Sequence, residues 1–136
     1  MTDPTAGDVG ETADAGETAA SSDQAAERLA RPVSLENEAD LEAFVADHER
    51  ALVEFYTAGC SMCDAMVPVL GGVARATDVA IGTINPRDDP PLIERFDVRS
   101  VPLLVAFVDG EPTARHADGF VPAEELTEWL ESETDQ

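Results

Sequence analysis

Cys60 and Cys63 are the only cysteines in the chain, and two residues separate them. That spacing lets the two sulfurs meet across the first turn of a helix. A cysteine at a helix N-terminus sits among unpaired backbone N–H groups at the positive end of the helix dipole, which favours its thiolate. The thiolate is the species that attacks a disulfide. A second thiol one turn further in then resolves the mixed disulfide. A C-x-x-C pair that follows a buried strand and opens a helix therefore reads as a site for dithiol–disulfide exchange. Spacing alone leaves two other readings open. One is half of a metal site. A structural zinc takes four ligands, and His48 and His116 are far apart in sequence, although a dimer could pool two cysteine pairs. The other is an incidental pair in a module that binds or chaperones extended chains without redox chemistry.

The elements that must position this pair can be read from apolar spacing. Val33–Leu35 suits a short strand. Asn37 suits an N-cap, with Glu38 and Asp40 in the first helical turn, where the dipole favours acids. Leu41, Phe44 and Val45 continue at helical spacing, so a helix is expected to about His48, which would favour its C-terminal end. Ala51–Thr57 is a nearly continuous apolar run, as in a strand buried on both faces, and Glu54 breaks it. Met66, Val67, Leu70, Val73 and Ala74 mark the apolar face of the helix after the cysteines, which Pro68 should kink. Further expectations are a strand at Asp78–Asn85, a loop at Pro86–Pro91 and a short helix at Leu92–Phe96. A strand at Leu103–Val108 follows, then an Asp109-Gly110 hairpin turn and an edge strand at Glu111–Ala117. A last helix from Pro122 places Leu126, Trp129 and Leu130 on its apolar face, Trp129 as a core residue. His116 is expected to be exposed on the edge strand. The order β-α-β-α-β-α-β-β-α begins as a parallel α/β unit and ends in a hairpin plus helix.

Over residues 33–133 the chain resembles the thioredoxin family. The matching stretches are Val53-Glu54-Phe55-Tyr56 ahead of Cys60-Ser61-Met62-Cys63, Pro68, Ser100-Val101-Pro102, the Asp109-Gly110 hairpin and Gly119. The resemblance implies a thioredoxin-like α/β fold, a central mixed β-sheet flanked by helices on both faces. It implies Cys60 as nucleophile, Cys63 as resolving thiol and a Cys60–Cys63 redox disulfide. Pro102 would be cis, facing the disulfide, with Val101 pairing its backbone with an extended substrate. Glu54 would be a buried acid able to take a proton from Cys63, where the family usually has aspartate. Gly59, Ser61 and Met62 would complete the substrate-binding surface. The implied partners are protein disulfides and an electron donor of the thioredoxin-reductase kind, with no bound cofactor, no metal and a monomeric state. The sequence also departs from the family. Gly59 replaces a tryptophan, and Ser61-Met62 replaces Gly-Pro. Asp64 follows the second cysteine and should disfavour the thiolate. Thr83 stands near a position where lysine is usual.

Composition bounds the partners. The 136 residues carry 29 acids and 8 bases, all arginine, for a net charge of −21. Phosphate recognition needs clustered Lys/Arg and an anionic bilayer would repel this chain, so neither nucleic acid nor membrane is an expected partner. No classical signal peptide is visible, and a cytoplasmic location is expected. Acid excess without lysine suits a high-salt cytoplasm, where screening weakens self-repulsion, so activity should rise with ionic strength. Residues 1–31 hold seven acids and two arginines, net −5, leaving −16 on the remainder. Residues 1–30 have Val9 as their single β-branched aliphatic residue and no aromatic, and are expected to be a disordered acidic tail. The thioredoxin-like domain is assigned to residues 31–136.

Overall fold

The structure, a computed structural model, describes residues 31–134. The expectation for residues 1–30 lies outside the described residues. The elements run β1 (Val33–Leu35), α1 (Glu38–Ala46), β2 (Arg50–Phe55), α2 (Ser61–Ala76), β3 (Ala80–Ile84), a 3-10 turn (Pro86–Asp88), α3 (Pro91–Arg95), β4 (Leu103–Val108), β5 (Glu111–His116) and α4 (Ala123–Thr134). Five strands form one sheet in the order β1-β3-β2-β4-β5. β1 and β2 each pair parallel to β3, whereas β2–β4 and β4–β5 are antiparallel. The sheet is mixed and helices cover both faces, as the sequence implies.

Strand parity sorts the core into two layers. Ala51, Val53 and Phe55 of β2 and Leu103, Val105 and Phe107 of β4 pack with Leu41, Phe44 and Val45 of α1 and Leu92 of α3. Leu52 and the even positions of β4, Leu104 and Ala106, face the other way. There they meet Met66, Leu70, Val73 and Ala74 of α2 and Leu126 and Leu130 of α4. Glu54 shares the parity of Leu52, so its carboxyl sits on the α2 side of the sheet.

Local chemistry sets the ends of the elements. Asn37 Oδ1 accepts from the Asp40 N–H at 2.8 Å, a cap worth about 1 kcal/mol. α1 ends at Ala46, earlier than expected, and His48 lies beyond the cap with Nδ1 2.9 Å from the Phe44 carbonyl oxygen. β2 ends at Phe55 rather than Thr57, because the chain leaves the sheet into a turn in which Gly59 takes φ +80°. One further ladder bond survives, from Tyr56 N–H to the Ile84 carbonyl at 3.0 Å. Asp109 (φ 52°) and Gly110 (φ 84°) both occupy the left-handed region that a two-residue hairpin needs. A bulge between Ala106 and Phe107 places Phe107 opposite Pro112 and Ala106 opposite Ala114. The extra residue, Thr113, turns its hydroxyl to the Ala106 carbonyl at 3.3 Å.

Three side chains depart from the expected burial. Val67 is 63% exposed. The buried face of α2 runs through Cys63, Met66, Leu70, Val73 and Ala74, and position 67 lies one helical step off that stripe. Trp129 is only partly buried, at the rim of the α2/α4 layer. It meets His116 edge-on, with ring centroids 5.9 Å apart. His116 is therefore half-buried rather than exposed, and its Nδ1 is buried without a hydrogen-bond partner among the described residues.

Candidate active site

β2 delivers the chain to the C-terminal edge of the sheet, and the turn after it starts α2. Cys60 is the N-cap of α2 in extended conformation (φ −92°, ψ 108°), and its sulfur accepts from the Cys63 N–H at 3.1 Å. The Asp64 N–H donates to the Cys60 carbonyl at 3.0 Å and closes the first turn. Cys60 and Cys63 form a disulfide across that turn, with Cα atoms 5.2 Å apart. The two sulfurs differ in access: Cys60 is half-buried, while Cys63 is 4% exposed.

The loop before β4 completes one side. The Val101–Pro102 peptide is cis, Pro102 is buried and Val101 is half-buried. Cys60 Sγ lies 4.0 Å from the Val101 carbonyl oxygen, 41 residues away in sequence. The Val101 N–H makes no backbone hydrogen bond among the described residues. On the other side, Gly119 (φ +93°) backs onto Met62: a Cβ on that glycine would stand 3.0 Å from Met62 Sδ. Met62 is 51% exposed and Phe120, next after Gly119, is 47% exposed. Gly59 and Ser61 are exposed beside the disulfide. Apolar side chains thus stand open on the Met62 side of the cysteines, and an unpaired backbone on the Val101 side.

Glu54 lies beneath this surface. It is 2% exposed, and Oε2 has no hydrogen-bond partner among the described residues. Burial pushes its carboxyl up to about 7, and the negative charge of Asp64 in the first turn of α2 adds to the shift. Its sheet neighbours are Leu104 and Thr83, so no cation from the flanking strands stabilises its charged form. Asp64 itself is exposed.

The structure therefore brings together Glu54, Gly59, Cys60, Ser61, Met62, Val101 and Pro102 around or under Cys63. No three or more histidines, cysteines or acids among the described residues are grouped to hold a metal ion. Sequence reasoning passed over Phe120. It stands in a loop without periodicity, and only the approach of the β5–α4 loop to α2 gives it a place at the site.

Such a dithiol, at the start of a helix and against a cis X-Pro loop on a mixed sheet, has counterparts among known proteins. The family model described as thioredoxin matches residues 32–132. Thioredoxin from Staphylococcus saprophyticus is 35% identical over 82 residues, covering 59% of this chain and 78% of the relative. Thioredoxin from Mycobacterium tuberculosis is 33% identical over 73 residues, 52% of this chain and 63% of the relative. A protein disulfide isomerase-like protein from Oryza sativa is 29% identical over 103 residues, and the matched region spans only 18% of its length. Among solved structures, a mutant thioredoxin from Halobacterium salinarum superposes with a TM-score of 0.74 at 29% identity, covering 79% of this chain and 94% of that one. The chain belongs to the thioredoxin family.

Proposed function

We propose that the protein is a thiol–disulfide oxidoreductase that reduces disulfides in other proteins. The observation that carries this reading is the Cys60–Cys63 disulfide at the N-terminus of α2, with Cys60 Sγ beside the Val101 carbonyl. In the reduced protein the Cys60 thiolate attacks one sulfur of a substrate disulfide. A bond forms between Cys60 Sγ and that sulfur, and the other substrate sulfur leaves as a thiolate and takes a proton from solvent. The Cys63 thiol then loses its proton to the Glu54 carboxylate and attacks Cys60 Sγ. This forms the Cys60–Cys63 disulfide and frees the second substrate thiolate. Two electrons have passed to the substrate, and an external dithiol donor of the thioredoxin-reductase kind restores the pair. No cofactor takes part in these steps.

Val101 and Pro102 would seat an extended substrate segment by backbone pairing, and Gly59, Ser61 and Met62 would form the surface around the attacked sulfur. Short or broken sheet edges support a monomer: β1 has three residues and β5 carries Pro112 and a bulge. No helix among the described residues is long and apolar enough to cross a membrane, and a reducing cytoplasm suits a dithiol working as a reductant. The test is insulin reduction with dithiothreitol at high salt. The native protein should accelerate precipitation of the insulin chains and Cys60→Ser should not. Equal rates would refute the activity.

A further inference from the structure

Two arginines stand at the rim of the site in a strongly acidic molecule. The chain carries −21, and acids outnumber arginines on most exposed segments. Beside the Val101 loop, however, lies an open groove of about 220 Å³ whose lining includes Thr57, Arg87, Ile93, Arg99, Ser100 and Val101 and no acid. Ile93 and Val101 give it an apolar floor. Arg87 and Arg99 are both exposed. Arg87 makes no ion pair among the described residues, and its neighbour Asp88 is also exposed. Arg99 holds Asp97 through Nε at 2.9 Å, which leaves its two terminal nitrogens open. Val101 is shared between this groove and the disulfide, since its carbonyl oxygen is the atom 4.0 Å from Cys60 Sγ. A chain seated on Val101 with its disulfide at Cys60 would have its next residues in the groove.

We propose that Arg87 and Arg99, at the rim of this groove, select aspartate or glutamate in the substrate segment flanking the target disulfide. The inference rests on the oxidoreductase reading above and adds to it a preference among substrates. It also reverses what net charge alone suggests. Residues 32–136, at −16, repel acidic chains at long range, and the Arg87 guanidinium with the two terminal nitrogens of Arg99 gives such a chain the place where it can dock. Guanidinium forks suit carboxylates. Because the pair is exposed, the preference is modest and salt-screened.

The test uses two peptide disulfides identical except that glutamates flank the bond in one and lysines in the other. The small neutral 2-hydroxyethyl disulfide serves as a third substrate. The native protein should show a glutamate-to-lysine ratio of kcat/KM of about threefold at the lowest salt that keeps it folded, the size that exposed charge pairs supply. The ratio should fall toward one as salt rises. In Arg87→Gln/Arg99→Gln it should fall to about one at low salt, while Arg75→Gln, one such substitution on the exposed end of α2, should keep the native ratio. A native ratio at or below one, or an unchanged ratio in the double variant, overturns the inference. Failure to reduce even the neutral disulfide would instead refute the activity. The groove would then be judged by fluorescence anisotropy, with serine-substituted peptides on Cys60→Ser/Cys63→Ser protein. Tighter binding of the glutamate peptide supports it, and equal binding overturns it.

Discussion

The backbone N–H of Cys63 donates to Cys60 Sγ at 3.1 Å, so the first sulfur caps the helix that carries the second. When the disulfide is reduced, the same donor and the dipole behind it face a thiolate, the charge they favour. Asp64 works in the opposite direction. Asp64→Asn should raise the rate of Cys60 alkylation by iodoacetamide at pH 7 by roughly twofold or more at low salt. The native rate should climb with ionic strength and the variant's should climb less. Identical salt profiles would remove Asp64 from the account.

Glu54 links stability to pH. Its carboxyl titrates near 7 in the fold against 4.5 when free. Below about pH 4.5 it is protonated in both states and costs nothing. Between 4.5 and 7 the unfolded chain releases the proton while the folded chain keeps it, so stability is lost as pH rises. The loss is on the order of 3 kcal/mol by pH 8. Glu54→Gln should therefore gain stability over the native protein as pH goes from 4 to 8, measured by urea unfolding. A constant offset would contradict the raised value. The resolving step of the same variant should slow on the order of a hundredfold and lose its inflection near pH 7.

Gly119→Ala tests the Met62 side of the site. The glycine takes φ +93°, and an added Cβ would come within 3.0 Å of Met62 Sδ. The backbone strain should cost on the order of 1 kcal/mol, read as a lower Tm. Because Met62 must shift, KM for a protein disulfide should rise while alkylation of Cys60 stays near native. A native Tm would contradict the close approach of this glycine to Met62.

Much of this was legible in the sequence because several signals agreed on each element. Asn37 with Glu38 and Asp40 marks the start of α1, Asp109-Gly110 marks the hairpin, and the nearly continuous apolar run that Glu54 interrupts marks a strand covered on both faces. Burial of Glu54 follows from that run. What was not legible depends on contacts across the chain. Val67 is apolar and near the helical period, yet only the placement of α2 on the sheet shows that it points outward. The pairing of Trp129 with His116 requires α4 to lie over the edge strand, which periodicity does not encode. Arg87 and Arg99 carry no signal as single residues twelve positions apart, and the loops around α3 bring both to the rim beside Val101.

The most direct test of the dithiol account is capture of the intermediate. Reduced Cys63→Ser protein, mixed with a peptide disulfide and followed by intact-mass spectrometry, should gain one peptide half, mapped by digestion to Cys60 and released by dithiothreitol. Cys60→Ser should gain far less under the same conditions, because the remaining thiol is buried. Equal adducts on the two variants, or none on Cys63→Ser, would contradict the assignment of Cys60 as the attacking sulfur.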